Sequence, residues 1–164
     1  MDKINIIGII HKHFKTLVNS NTKKADFWDW FVFLVLPLIF SGVLLFFNVY
    51  FSDDAVGTVI TVMTVLVGLL FNVIVILFDI VRRDNSNQIK NQVLEEVLAN
   101  ISYSVLLAFA TILFTLLLNV ENSTAITVFT FIVYFLCSHF FLTALMILKR
   151  IFKLFDNEMK KNTN

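Results

Sequence analysis

Long apolar runs separated by short polar segments dominate the pattern along the chain. The four runs are residues 31–51, 55–80, 101–120 and 125–148. Asp53 and Asp54 are the charges between the first two runs, and Glu121 is the formal charge between the last two. About 20 apolar helical residues cross the roughly 30 Å hydrocarbon core of a bilayer. The pattern therefore predicts four transmembrane helices.

The connections within each pair of runs are very short. Residues 52–54 join the first two runs, and residues 121–124 join the last two. Helices joined by so few residues are expected to be antiparallel neighbours. The predicted fold is therefore all-α: an integral membrane four-helix bundle made of two antiparallel transmembrane hairpins.

The chain before the first run is expected to form a separate element. Residues 1–26 are predicted to be an amphipathic helix with a linker, because apolar residues recur there at helical spacing. The apolar positions are Ile6, Ile7, Ile10, Phe14, Leu17 and Val18, and the positions opposite are His11, Lys12 and Lys15. Such a helix lies in the membrane interface beside anionic headgroups, or it packs on the other cytoplasmic helices. The pattern leaves both interpretations open.

Two helices are expected to continue beyond the membrane within the four-span domain 27–164. No Pro or Gly separates segment 84–100 from the third run, which predicts one helix from about residue 86 to about residue 118. Segment 149–161 extends the fourth run in the same way. Together the two segments form a predicted cytoplasmic stalk where another protein or subunit would dock, unless they only cover each other. The candidate docking residues face away from the apolar stripe: Gln88, Lys90, Gln92, Glu95, Glu96 and Lys153.

Composition and charge narrow the class of protein. Hydrophobic residues make up 58% of the chain and charged residues 15%, whereas a soluble domain has about 25% charged residues. The net charge is only +1, so direct nucleic-acid binding is not expected. All 13 Lys and Arg lie in the N-terminal arm, the middle connection and the tail. The positive-inside rule then predicts that both termini and the middle connection are cytoplasmic.

Small and polar residues recur on one face of two predicted spans. They are Thr61, Thr64, Gly68 and Asn72 in the second span, and Ser104, Thr111 and Thr115 in the third. Membrane helices associate through close packing of small residues and through hydrogen bonds between helices. Helix packing is the preferred interpretation, and lining of a water-filled path is the alternative.

Ionisable residues inside the spans are few. Asp79 lies near the cytoplasmic end of the second span, and its spacing to Arg82 and Arg83 favours an ion pair at the interface. His139 lies near the middle of the fourth span. An intramembrane ionisable residue is a functional candidate by default. The preferred interpretation is a neutral histidine that hydrogen-bonds a neighbouring Asn or Ser.

The sequence contains no constellation of catalytic residues. It has no pair of carboxylates within the spans, no Ser–His–Asp set and no Gly-rich phosphate loop. Cys137 and His139 together supply fewer ligands than a structural zinc site requires. We therefore expect that the chain is not an enzyme and holds no cofactor and no metal.

Two stretches of the chain resemble a known group of proteins. The sequences FNVIVILFDIVRRD at 71–84 and VLANISYSVLLAFATILFTLLL at 97–118 resemble small four-span proteins encoded in bacterial anti-phage defence operons, among them the membrane subunit of the Kiwa system. The resemblance covers about residues 70–120. It implies an oligomeric, multi-pass protein of the bacterial cytoplasmic (inner) membrane that senses or responds to infection and has a cytosolic, nucleic-acid-binding partner. It carries over no individual functional residue.

The functional hypothesis is an oligomeric inner-membrane protein of an anti-phage defence system, which acts as sensor, anchor or pore and is coupled to a cytosolic protein partner. A stand-alone channel and a bacteriocin immunity protein are the alternatives. A homo-oligomer, either a dimer or a tetramer, is expected because the polar stripes of one unit satisfy themselves only if all face inward. The other expected partner is the lipid bilayer.

Overall fold

All of the secondary structure in the described part of the chain is helical. A computed structural model describes the backbone of residues 5–16, 31–83 and 88–162, and the side chains at 80–92, 154 and 157–162 lie outside the described part. The helices are α1 Ile6–Thr16, α2 Leu36–Phe46, α3 Asp53–Arg83, α4 Gln88–Leu116 and α5 Ser123–Asn162. A π-helical segment, Phe31–Val35, runs into α2, and a 3-10 turn, Leu117–Asn119, follows α4. The predicted all-α class is confirmed for these residues.

Side-chain caps mark where three of the helices begin. The side-chain oxygens of Asn5, Ser52 and Asn122 accept hydrogen bonds from backbone N–H groups two or three residues later, at 2.7, 3.3 and 3.0 Å. Such caps satisfy N–H groups that have no partner within the first turn of a helix. The starts of α1, α3 and α5 are therefore encoded by local sequence.

α2 ends earlier than the sequence predicts. Asn48 has a φ of 54°, and the amides of Asn48 and Val49 donate to carbonyl oxygens of α2 at 2.9 and 3.0 Å. This pair of bonds is the Schellman motif, in which the residue after the C-cap takes a left-handed conformation that Asn tolerates. The first predicted run, 31–51, is therefore helical only over Phe31–Phe46.

Three helices are long and apolar enough to cross a membrane. They comprise Asp53–Asp79, Val93–Asn119 and Ser123–Lys153, while Phe31–Phe46 is a shorter apolar helix. Large apolar side chains are exposed along the outside of the molecule, among them Val75 at 68% and Phe78 at 70%. Such an apolar surface is expected where side chains face lipid. The structure is thus compatible with a membrane protein, with one short and three long helices where four long spans are predicted.

α4 lies at the centre of the packing. It contacts α3, α5 and α1, while the main partner of α2 is α5. Two apolar clusters join the three long helices, one including Met63, Ala108 and Phe140 and the other including Leu77, Ile101 and Ile147. α4 therefore contributes buried side chains along most of its length.

α2 and α3 do not pack as the predicted first hairpin. α2 packs on α5 and α3 packs on α4. The connection 47–52 also contacts α5, since the ring of Phe51 stacks on Tyr134 at 4.5 Å and the Tyr134 hydroxyl donates to the carbonyl oxygen of Val49 at 3.4 Å. The early end of α2 makes this connection long enough to cross to α5. The packing order is therefore α2, α5, α4, α3.

Charged contacts locate α1 against one end of the long helices. Lys12 bonds Glu95 near the start of α4 at 3.1 Å, and Arg150 in the last third of α5 bonds Glu96 at 2.7 Å. We call this region, where α1 meets the first turns of α4 and the last third of α5, the α1 end.

Candidate functional site

A histidine anchors α1 to the rest of the molecule. His13 is fully buried, although α1 is a short helix at the edge of the fold. Its ring stacks on the ring of Tyr103 in α4, with centroids 3.8 Å apart and an interplanar angle of 12°. Its Nδ1 lies 2.8 Å from Oδ1 of Asn100, one turn before Tyr103. A buried polar side chain with defined partners specifies one docked position for α1.

The partners of His13 determine which ring nitrogen carries the proton. An amide oxygen only accepts hydrogen bonds, so Nδ1 donates to Asn100 and Nε2 is the bare nitrogen of the neutral ring. The hydroxyl of Thr16 lies 2.8 Å from the same amide oxygen and 2.7 Å from the His13 carbonyl oxygen. In the described residues, Nε2 of His13, Nδ2 of Asn100 and Oγ of Ser104 are buried without a hydrogen-bond partner.

A second buried histidine lies next to the first. Nδ1 of His139 is 2.6 Å from the carbonyl oxygen of Phe33, and its Nε2 is 2.9 Å from the hydroxyl of Tyr103. The carbonyl only accepts, so Nδ1 donates and Nε2 accepts the Tyr103 proton. The neutral ring is thereby satisfied at both nitrogens. The sequence expected an Asn or Ser side chain as the partner, and the partners are instead a tyrosine and a backbone carbonyl.

Tyr103 connects the two histidines. One face of its ring stacks on His13, and its hydroxyl bonds His139. The two imidazole centroids are 6.4 Å apart. Through these contacts the cluster joins α1, α4, α5 and the π-helical segment before α2. We call His13, Thr16, Asn100, Tyr103 and His139 the polar joint.

Two ion pairs lie at the rim of the polar joint. Arg150 donates to Glu96 at 2.7 Å and to the carbonyl oxygen of Thr16 at 2.6 Å. Thr16 is the last residue of α1, where a cation stabilises the carbonyl end of a helix. The pair of Lys12 with Glu95 is largely exposed to solvent. Exposed pairs contribute little, so Arg150 is the stronger of the two connections.

The surroundings of His13 disfavour its charged form. Burial lowers the pKa of His13 to about 4, against an ordinary value of 6.5. The hydrogen bond that His13 donates to Asn100 opposes this shift, while electrostatic interactions with His139 and Arg150 add to it. His13 is therefore neutral near pH 7, and the docked position of α1 is built around the neutral ring.

The two polar stripes that the sequence predicts have different environments. Ser104, Thr111 and Thr115 of α4 are fully buried, and both threonines bond carbonyl oxygens of their own helix. The α3 positions are exposed on the outside of the molecule: Thr61, Thr64, Gly68 and Asn72. The α3 stripe therefore does not pack against the α4 stripe within one copy of the chain.

The remaining predicted residues lie at the α1 end. Asp79 is exposed, and the side chains of Arg82 and Arg83 lie outside the described residues, as do those of Gln88, Lys90 and Gln92. Glu95 and Glu96 form the ion pairs given above, and Lys153 is exposed. Across the described part of the chain, no group of three His, Cys, Asp or Glu could hold a metal ion.

Sequence reasoning missed the polar joint, although a signal was present. His13 continues the helical stripe that begins with Ile6 and Ile10, so it lies on the apolar side of α1. Asn100 lies between Val97 and Ser104 on a stripe of α4 that is otherwise buried. A polar side chain within an apolar stripe predicts a buried hydrogen bond, but not its partner.

No protein-family model, curated protein or solved structure matches the chain. What the polar joint can do therefore follows from its own chemistry. It holds a short N-terminal helix on the long helices, and it distinguishes a neutral His13 from a charged one.

Proposed function

We propose that this chain is a non-enzymatic inner-membrane protein of a bacterial anti-phage defence system, which couples its membrane helices to a cytosolic protein partner. The defence context rests on the resemblance at 71–84 and 97–118. The coupling role rests on the α1 end. In this role the chain is the sensor or anchor, and the partner supplies the chemistry that the chain lacks.

The observation that carries the coupling role is the connection of α1, α4 and α5 at one end. The single side chain of Arg150 contacts both Glu96 of α4 and the last carbonyl oxygen of α1. α4 and α5 also pack together in an apolar cluster near this end, which contains Ile101 and Ile147. A partner that displaces α1 would therefore change the packing of helices within the membrane, as a coupled two-state element requires.

The proposed orientation places the α1 end in the cytoplasm. The basic residues lie in the N-terminal arm, the middle connection and the tail, whereas the connections at 52–54 and 121–124 contain only acidic charges. The positive-inside rule then assigns both termini to the cytoplasm. In this topology α4 and α5 form an antiparallel hairpin, and α2 is a short span.

We also infer that the protein is a homo-oligomer, most simply a dimer. The amide of Asn72 and the hydroxyls of Thr61 and Thr64 are exposed on a helix that is long enough to span the bilayer. The two hydroxyls bond carbonyls of their own helix at 2.9 and 2.8 Å, which leaves the amide as the costly group in lipid. The α3 stripe of a second copy offers hydrogen bonds between helices.

A pore is the second candidate, and the same exposed stripe favours it. If several copies place Thr61, Thr64 and Asn72 around a common axis, these residues line a polar path. Ion flux into liposomes that contain the purified chain tests this candidate. Flux that is lost in Asn72→Leu and retained in Leu69→Val, an exposed apolar position on the same helix, supports a pore.

Phage challenge tests the main proposal. Bacteria carrying the gene with its neighbours should resist phage, and deletion of this chain alone should abolish the resistance. Lys153→Glu at the α1 end should weaken it, whereas Glu121→Lys at the opposite end serves as the matched charge control. Unchanged resistance on deletion refutes the proposal, and protection against a colicin-like toxin without any effect on phage indicates an immunity protein instead.

A further inference from the structure

The docked position of α1 depends on a ring that has one unsatisfied nitrogen. Nδ1 of His13 donates to Asn100, and Nε2 is buried with no partner among the described residues. A buried Nε2 without a donor has a limited cost, because the bare nitrogen is uncharged. If Nε2 were protonated, a charged N–H group would be buried without an acceptor, which is far more costly.

Among the described residues, the groups around His13 offer no compensation for a positive charge. From α4 it faces the amide of Asn100 and the ring of Tyr103. From α5 it faces the neutral ring of His139 and the guanidinium of Arg150, and repulsion from Arg150 opposes protonation. The carboxylates on the adjacent turn of α4 are already engaged, Glu95 with Lys12 and Glu96 with Arg150. On α1 itself, the other titratable side chains are His11, Lys12 and Lys15, all exposed.

We propose that α1 is a proton-released helix: it docks on α4 through neutral His13, and protonation of His13 detaches it. Detachment removes the ring that covers one face of Tyr103, and it removes the Thr16 carbonyl from Arg150. The hydrogen bond between Tyr103 and His139 then lies next to solvent or headgroups. The device is a property of this chain alone and does not depend on the proposed partner.

The pKa values determine the direction and the range of the effect. The docked pKa of His13 is about 4, whereas a released His13 has its ordinary value of 6.5. The docked state therefore binds fewer protons, and lower pH favours release. Docking is fully stable above pH 6.5, weakens as the pH falls, and reaches a plateau below pH 4. Between these limits, each decrease of one pH unit raises the ratio of released to docked α1 about tenfold.

Thiol labelling of the full-length protein in lipid nanodiscs measures release. Ile9 packs against the apolar cluster that contains Tyr103, so Ile9→Cys is protected while α1 is docked. Lys15 is exposed on the same helix, and Lys15→Cys reports how pH changes thiol reactivity itself. Both variants are made in a Cys137→Ala background and treated with a water-soluble maleimide. The quantity of interest is the labelling rate at position 9 divided by the rate at position 15.

We expect this ratio to rise about 30-fold between pH 7.5 and pH 5.0. His13→Asn keeps a neutral donor near Nδ1, and its ratio should not change with pH. His11→Gln removes the exposed histidine of the same helix, and His139→Gln removes the other buried one; both should retain the pH dependence. His13→Lys should give a high ratio at both pH values.

Two results overturn the inference. One is a wild-type ratio that is the same at pH 7.5 and pH 5.0. The other is a pH dependence that persists in His13→Asn or disappears in His139→Gln, since either assigns the proton to a different group. Because the readout is a pH profile of one helix, a general loss of stability in a variant does not imitate it.

Discussion

The imidazole of His13 lies flat on the phenol ring of Tyr103, and the hydroxyl of that phenol bonds His139. Residues from α1 and from α5 thus contact the same tyrosine of α4. The stacking contact holds α1 in place. The hydrogen bond holds His139 of α5, whose other ring nitrogen donates to the carbonyl oxygen of Phe33. The two functions of Tyr103 are separable, because one requires the ring and the other requires only the hydroxyl.

Tyr103→Phe tests this separation. It retains the stacking surface but leaves Nε2 of His139 buried without its donor, which should cost about 1–3 kcal/mol of unfolding free energy. Tyr134→Phe is the matched control, since its hydroxyl makes a longer, exposed contact at 3.4 Å. Unfolding in mild detergent followed by circular dichroism measures the difference. Equal loss in both variants would contradict the assigned role of the Tyr103 hydroxyl.

The stability of the protein should depend on pH through His13. Its pKa is about 4 when docked and 6.5 when exposed, so the folded state binds fewer protons. Stability is therefore full above pH 6.5 and falls as the pH decreases toward 4, by about 3 kcal/mol in all. Thermal unfolding at a series of pH values should show this slope in the wild type, and His13→Asn should flatten it.

Arg150 should matter more than the exposed ion pair beside it. Arg150→Lys removes the planar group that reaches Glu96 and the Thr16 carbonyl together, because a single ammonium cannot reproduce that geometry. We expect a loss of about 1–2 kcal/mol. Lys12→Gln breaks the exposed pair with Glu95 and should cost less than about 0.5 kcal/mol. Chemical unfolding of both variants gives the comparison, and a reversed order would contradict it.

Asn48 should be replaceable by glycine but not by alanine. Its φ of 54° lies in the left-handed region, where a Cβ costs about 1–2 kcal/mol unless the side chain compensates locally. Asn48→Ala should therefore destabilise the protein by about 1 kcal/mol, while Asn48→Gly should have little effect. The thermal midpoints of the two variants test this, and similar midpoints would indicate that α2 does not end in a Schellman motif.

The oligomer prediction concerns the exposed stripe of α3. Asn72→Leu should weaken self-association, because the amide is the group of that stripe with most to gain from a partner helix. A cost of about 1 kcal/mol corresponds to roughly a fivefold weaker association. Light scattering coupled to size-exclusion chromatography in mild detergent gives the mass, with Leu69→Val as the control. A monomeric wild type in several detergents would refute the prediction.

Local patterns were sufficient for much of the secondary structure. The apolar runs predicted all of the long helices, because a helix that spans lipid needs apolar residues at nearly every position. The absence of Pro and Gly also predicted the continuous helix from the stalk into the third span, observed as Gln88–Leu116. The end of the first span was wrong because Asn48 is a weak sequence signal: its role depends on a backbone conformation that few asparagines adopt.

The arrangement of the helices and the polar joint were decided by tertiary structure alone. Helical periodicity shows which side of a helix is buried, but not which helix covers it, so the packing of α2 on α5 could not be derived from connection lengths. Likewise, the sequence shows only that His13, Asn100 and Tyr103 lie within largely apolar segments. The hydrogen bond between His13 and Asn100 joins positions that are 87 residues apart. Helical spacing relates residues that are only a few positions apart, so it does not predict such a contact. Only the packed fold brings these residues together.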